Sequence, residues 1–267
     1  MSLDTPGPTT GVPALARTEL APPKRLRTTL RGKAAIYRKL WAVPENRRVS
    51  PMIALTRFTD RAPDVIPVVS DQYRRRRSAL FERDLRLLND VLADSPLAGR
   101  YWIWGGMLLG WAREGRLLPH DTGDADFGFD AADVALFDQA EAQLLAAGFG
   151  RGFRFHSRAG VCTERVVVRH GFKFEFFRME EVAPRTHAFH VYGLGRIGPV
   201  EVVGHLPKQE LEPFDFLGRT WMKPRDHELL LRTCYGDWRT PDPSWDWFDD
   251  LSLVSARAWL PEAGGAV

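Results

Sequence analysis

The sequence predicts an α/β (α+β) fold in which short strands and amphipathic helices interleave, preceded by a basic N-terminal helical extension. Three observations predict it. The stretch Tyr101–Phe129, YWIWGGMLLGWAREGRLLPHDTGDADFGF, reads as strand, glycine turn, helix, loop and strand. Helical stripes in Ser70–Asp94 and Ala132–Ala147 flank it, with apolar residues recurring at offsets of three and four. Farther on, TERVVVRHGFKFEFFR reads as two strand-like runs joined at His170-Gly171, a hairpin signal.

At 267 residues the chain can bury a substantial core, and one domain with tails fits better than two full domains. An apolar fraction of 44% and a charged fraction of 27% are ordinary for a globular protein. No stretch approaches the roughly 18 uninterrupted apolar residues of a membrane span, and no basic start followed by an apolar segment marks a secretory signal. The expected location is therefore cytoplasmic. Cys162 and Cys234 have no metal-ligand spacing and read as buried thiols. The net charge of +3 hides an asymmetry. Met1–Arg100 holds 19 Lys+Arg against 10 Asp+Glu, while the remainder holds 18 against 24, so a basic leader precedes an acidic half.

In chain order, residues 1–23 are rich in Pro, Thr, Gly and Ala without periodicity and read as a disordered tail. Residues 24–69 read as a basic helical extension and linker. Within them Lys24–Val43 places Leu26, Leu30, Ala34, Tyr37 and Trp41 on one stripe among seven cations. Two readings stand for it: a helix packed on the domain with a solvated basic face, or one lying at the inner face of an anionic membrane. Its aromatics are not interleaved as a nucleic-acid platform requires, so no nucleic acid partner is expected. Residues 70–260 read as the catalytic domain and 261–267 as a tail. Ser70 can cap the first long helix, whose buried stripe is Tyr73, Leu80, Phe81, Leu85, Leu88, Val91 and Leu92. The four arginines Arg74–Arg77 on it read as a solvated face. Phe153–His156 reads as a short strand. Pro184–Gly204 contains His187 and His190, read as surface or loop histidines rather than metal ligands, among short β-prone runs. Glu210–Met222 suggests a strand pair turning at Leu217-Gly218, and Pro224-Arg225-Asp226 opens a last helix that closes at Tyr235-Gly236.

The chemistry concentrates in Tyr101–Phe129. Gly105-Gly106 lets the backbone come close to a ligand, and Met107, Leu108 and Trp111 give the following helix an apolar face that stops at Gly115. Residues two apart on a strand share a face, so Asp124 and Asp126 would sit side by side. Such carboxylates repel unless a cation lies between them, and a hard, oxygen-seeking Mg²⁺, or Mn²⁺ in its place, suits them. On the last run of the hairpin Lys173, Glu175 and Phe177 share one face and Phe172, Phe174 and Phe176 the other. A carboxylate in so aromatic a strand needs a partner or a cation. Glu175 is such a residue, either engaged with a cation or half-exposed and paired with Lys173 or Arg165.

The order strand, Gly-Gly, helix, Asp-x-Asp resembles the nucleotidyltransferase fold, a mixed β-sheet flanked by helices. Within it, GGMLLGWAREGRLLPHDTGDADF resembles the LicD phosphotransferase family, which includes the fukutins. Gly106, Leu108, Leu109, Gly110, Arg113, Gly115, Pro119, Asp121, Asp124 and Asp126 stand at matching places. Met107 departs from a small hydroxyl residue and His120 from Trp, and the loop is one residue longer around Thr122-Gly123, which leaves the role of Asp121 open. A second block, WMKPRDHELLLRTCYGDWRTPDP, resembles the same family at Pro224, Leu230, Leu231, Tyr235, Gly236, Trp238 and Pro241. The fold resemblance implies a third carboxylate on a later strand facing the Asp-x-Asp; Glu175 stands at that place, with Glu164 behind it.

The resemblance implies a transferase that moves a phospho-alcohol group, such as phosphocholine or ribitol phosphate, from a CDP-linked donor to a hydroxyl of a glycan or glycolipid. Asp124, Asp126 and Glu175 would be catalytic and metal-binding, and Gly105, Gly106, Arg113 and Lys173 would contact phosphates. Arg113 could equally be structural, close to a helix end. Two alternatives share these residues: a nucleotidyltransferase moving an NMP group from an NTP to a small molecule or protein, and a non-catalytic binding protein of the same fold. The acceptor would be read by loops around Pro184–His205 and by the C-terminal aromatics.

Overall fold

The computed structural model describes residues 71–118, 123–157, 159–195, 198–242, 244–245, 247, 250–251 and 254–259. The expected tail at 1–23, the basic extension and linker at 24–69, the helix cap Ser70, and Asp121 all lie outside the described residues.

The architecture is mixed α/β. Helix α1 (Asp71–Ala93) leads into strand β1 (Tyr101–Ile103), helix α2 (Gly105–Glu114) and strand β2 (Asp124–Asp130). A 3₁₀ turn (Ala131–Asp133) and helix α3 (Val134–Ala146) follow. Strands β3 (Gly150–His156), β4 (Cys162–Arg169), β5 (Phe172–Ala183), β6 (Thr186–Gly195) and β7 (Gly198–Pro207) continue the chain. The hairpin of β8 (Leu211–Phe216) and β9 (Arg219–Pro224), helix α4 (His227–Tyr235) and strand β10 (Val254–Trp259) complete it.

Eight strands form one sheet in the order β1-β2-β5-β6-β7-β10, with β4 also paired to β5 and β3 to β4. The long strand β5 is the pivot. Its first half runs parallel to β2 and antiparallel to β4, and its last residues pair with β6. All other pairings are antiparallel, which makes the sheet mixed. The β4–β5 connection turns at His170 (φ 48°) and Gly171 (φ 82°), and β8–β9 turns at Leu217 (φ 51°) and Gly218 (φ 70°). Two successive positive φ values are what a tight hairpin demands, and the glycine in each pair meets half of that demand without strain.

The alternation along β2 and β5 decides which face is packed. Phe127, Phe129, Phe172, Phe174 and Phe176 are fully buried and form one aromatic layer. Phe81 of α1 lies 5.0 Å from Phe172, and Phe137 of α3 lies 4.8 Å from Phe129 and 5.0 Å from Phe176. Burial of each ring contributes about 1.5–3 kcal/mol, so this layer fixes the sheet against α1 and α3. On α1 the predicted stripe is buried at Phe81, Leu85, Leu88 and Leu92. The same helix buries Asp84, which receives His170 Nδ1 at 2.7 Å and clasps the β4–β5 turn. Asn89, also buried, donates to Tyr101 Oη and to the carbonyl of Thr220, tying β1 and β9 to the helix.

Several expectations need correction. Gly105-Gly106 is not a free-standing turn but the first turn of α2, joined to β1 through the single residue Trp104. The described residues after the turn at Pro184-Arg185 are strand and not loop: the hairpin β6–β7 lies within the sheet, because its alternating Phe189, Val191, Val200 and Val202 are buried against the core. Strand β10 pairs antiparallel along β7 and extends the sheet beyond the hairpin. Both cysteines are free; Cys234 is buried and its thiol is pushed up to about 12 by that burial, while Cys162 is half-buried. Among the described residues no helix is long and apolar enough to cross a membrane.

Candidate functional site

The face of β2 and β5 opposite the phenylalanine layer carries the polar residues. Parallel pairing sets Asp124 opposite Lys173 and Asp126 opposite Glu175. The four side chains therefore stand on two neighbouring rungs of adjacent strands, about 4.8 Å apart across and about 6.6 Å apart along them. Lys173 Nζ donates to Asp124 Oδ2 at 2.8 Å and to Glu175 Oε1 at 2.9 Å. Lys173 and Glu175 are buried, and Asp124 is more open, with 39% of its side chain exposed. Lys173 N–H also donates to the Gly123 carbonyl at 3.0 Å, which holds the start of β5 against the entry to β2.

The N-terminus of α2 meets this group. Trp104 N–H donates to the Asp126 carbonyl at 2.8 Å, so β1 hands the chain into the helix directly beside the carboxylates. Gly105 has φ +53°, and a Cβ there would lie 2.3 Å from Asp126 Oδ2. The side chain of Asp126 thus occupies the space a larger residue would need. No side-chain hydrogen bond caps this helix end. At the other end Gly115 (φ 66°) donates its N–H to the Trp111 carbonyl and terminates α2.

Arg113 stands in the last turn of α2, about 12 Å along the axis from Gly105 at the usual rise per residue. Its guanidinium lies 3.4 Å from Glu114. Arg165, the other expected partner of Glu175, pairs with Asp138 on α3 instead. Glu164 is buried on β4 opposite Phe177, one same-face position beyond Val166, which itself faces Glu175. His187 and His190 are strand residues and not loop histidines. His187 is buried, with Nε2 2.9 Å from Asp130 Oδ1, and His190 Nδ1 lies 3.2 Å from buried Glu201. Burial pushes the Asp130 carboxyl up, but the contact and charge of His187, with Lys208 and Arg100, outweigh it and hold the group below the usual carboxylate range. The Lys173–Glu175 pairing was among the readings of the sequence, whereas the Asp130–His187 pair and the contact of Lys173 with Asp124 were not legible there, since both depend on which strands become neighbours.

The C-terminal block reaches the same region. Trp247 packs edge-on against Trp104 at 6.2 Å, and Tyr235 lies 4.6 Å from Trp245 and 5.8 Å from Trp247. Asp226 caps α4 by accepting from Leu229 N–H at 3.2 Å.

Hard carboxylate oxygens on one face, beside a helix N-terminus, suit a divalent cation. Among the described residues no group of three or more His, Cys, Asp or Glu is arranged to hold a metal ion. The residues on this face that could hold one are Asp124 and Asp126; Asp124 and Glu175 both accept from Lys173.

Residues 99–192, which span β1 to β6 and contain every element of this group, match the family model LicD/FKTN/FKRP, nucleotidyltransferase domain. The chain carries a LicD-type domain. The match ends before the second block at Trp221–Pro243, which lies outside the matched residues. The match suggests a phosphotransferase- or nucleotidyltransferase-like activity for this domain. No curated protein matches the chain significantly. Among solved structures, the lincosamide antibiotic adenylyltransferase LnuA, crystallised with lincomycin, is similar at 12% sequence identity with a TM-score of 0.35. That likeness covers 56% of this chain and 83% of that one, and is too slight to carry an argument.

Proposed function

We propose that this protein transfers a phospho-alcohol group, phosphocholine, ribitol phosphate or a similar unit, from a CDP-linked donor to a hydroxyl of a glycan or glycolipid. The observation that supports this most is the register Asp124↔Lys173 and Asp126↔Glu175 inside the LicD-type domain. Phosphoryl transfer asks a protein mainly for positioning and charge neutralisation, and a two-strand rack of carboxylates supplies the anchor for both.

Asp124 and Asp126 would hold a Mg²⁺ or Mn²⁺ ion, which when bound neutralises pyrophosphate oxygens and polarises the transferred phosphoryl group. The N-terminal N–H groups of α2 at Gly105-Gly106 would meet the phosphates of the donor. In this reading Glu175 would accept the acceptor proton. The acceptor oxygen then bonds to the phosphorus that carries the alcohol, the bond from that phosphorus to the CMP oxygen breaks, and CMP leaves with the electron pair. Lys173, which donates to Asp124 and Glu175, would orient the carboxylates. A peripheral membrane contact through residues 24–43 belongs to the same reading, because it would bring the site to a lipid-linked acceptor.

Calorimetric titration of CDP-choline, CDP-ribitol, CDP-glycerol and the common NTPs, with and without Mg²⁺, tests the assignment. One CDP-alcohol should bind in a Mg²⁺-dependent way and more tightly than any NTP. A preference for ATP over every CDP-alcohol would instead assign transfer of a nucleoside monophosphate.

A further inference from the structure

Strand β6 carries a second polar group that the transfer chemistry above does not use. His190 and Tyr192 stand two residues apart and share a face, and Glu201 is the β7 residue opposite Tyr192. Glu201 Oε1 accepts from Tyr192 Oη at 2.9 Å and lies 3.2 Å from His190 Nδ1. Glu201 and Tyr192 are buried, while 26% of the His190 side chain is exposed. The strand is anchored at both margins of the carboxylate group. Phe189 packs edge-on against Trp104 at 5.4 Å, and Trp104 N–H donates to the Asp126 carbonyl. Tyr192 stacks on Phe155 at 5.5 Å. Phe155 is opposite Glu164, the residue two before Val166, which faces Glu175.

These contacts fix which nitrogen of His190 carries the proton. Burial, reinforced by the charge of Glu201 against the lowering contact of Thr163, pushes the Tyr192 hydroxyl far above its ordinary value, so it stays protonated and donates. A carboxylate oxygen that accepts one donor has a lone pair for a second and no proton to give. Nδ1 is therefore the donating N–H, and Nε2 of the neutral ring is a bare acceptor. Nε2 has no hydrogen-bond partner among the described residues. Pyrophosphate oxygens only accept and cannot serve it, whereas a hydroxyl can. We infer that His190 is a binding residue for a substrate hydroxyl, which donates to Nε2, and that Glu201 and Tyr192 are positioning residues that hold the ring in that tautomer. This deepens the transfer reading and rests on it only for whose hydroxyl is bound, the acceptor's or the donor alcohol's. A group placed to take a hydroxyl discriminates against an analogue that lacks one, so His190 selects for a polyol or a sugar.

Nitrogen NMR of the full chain with isotope-labelled histidine tests this, His190→Phe supplying the assignment. In mildly alkaline buffer His190 should show a protonated Nδ1 and a bare Nε2, and Glu201→Gln should give a mixture of tautomers. The probes are methyl glucoside, CDP-glycerol and CDP-ribitol, with CMP and pyrophosphate as controls. A hydroxyl donating to Nε2 moves its resonance upfield. Movement with methyl glucoside supports the inference and assigns the hydroxyl to the acceptor; movement with the CDP-alcohols alone supports it and assigns the hydroxyl to the donor. A protonated Nε2 in the wild type, movement with CMP or pyrophosphate alone, or no movement with any probe would overturn it. Turnover separates the inference from the reading it rests on. His190→Phe that turns over a CDP-alcohol with unchanged KM for both substrates would overturn the inference and leave the transfer reading standing. An Nε2 that answers methyl glucoside in a protein that turns over no CDP-alcohol would do the reverse.

Discussion

Gly105→Ala is the perturbation whose consequence can be worked out furthest. The new Cβ would lie 2.3 Å from Asp126 Oδ2 and 3.1 Å from its Cγ, whereas ordinary contact begins at 3.4 Å. The backbone at Gly105 is fixed by β1 and by the 2.8 Å bond from Trp104 N–H to the Asp126 carbonyl, so the carboxylate must yield. It has to swing by about 1 Å, and a misplacement of that size can cost roughly 10²-fold in rate. A left-handed φ of +53° adds about 1–2 kcal/mol of backbone strain for alanine, which corresponds to a melting shift of about 2–8 °C for a domain of this size. Gly115→Ala is the control. Its φ of +66° imposes the same strain, but no atom lies within 4 Å of the added Cβ. Both variants should melt slightly below the wild type by circular dichroism. Only Gly105→Ala should lose Mn²⁺ affinity and donor turnover. If Gly105→Ala binds Mn²⁺ and turns over like Gly115→Ala, the carboxylate is not held where the argument needs it.

Two further predictions concern the frame around the site. Asp130 sits below the usual carboxylate range because of His187, so its stabilisation is present at neutral pH and disappears as the pH falls through that depressed value. Asp130→Asn should therefore melt below the wild type at pH 7, with the gap closing in strongly acidic buffer; a gap of constant size would assign the effect to packing. Asp226→Ala removes the acceptor for Leu229 N–H at the start of α4 and should cost about 1 kcal/mol in denaturant unfolding with Mn²⁺ affinity unchanged. Loss of Mn²⁺ binding in that variant would mean that α4 is coupled to the carboxylates.

Much of the frame was legible because it is written in local rules. The spacing Asp124-x-Asp126 and the alternation of Phe172, Phe174 and Phe176 with Lys173 and Glu175 depend only on the two-residue period of a strand. Turn chemistry placed the hairpins at His170-Gly171 and Leu217-Gly218. What stayed hidden was long-range. Nothing local says that β2 pairs in parallel with β5 across an intervening helix and hairpin, yet that pairing sets Lys173 opposite Asp124. The same limit hid the seat of His187 on Asp130 and the packing of Trp247 on Trp104. Gly105-Gly106 reads as a turn because glycine is a poor helix former. Its reason lies elsewhere, in the Asp126 carboxylate that fills the space beside it.

The claim at the centre of the account is that Asp124 and Asp126 engage the donor's phosphates through one divalent cation. Mg²⁺-dependent binding of the best CDP-alcohol, compared between the wild type and Asp126→Ala, tests it most directly. Asp126→Ala should fold, and the Mg²⁺ dependence of donor binding should vanish. Donor binding that stays fully Mg²⁺-dependent in Asp126→Ala would contradict the account.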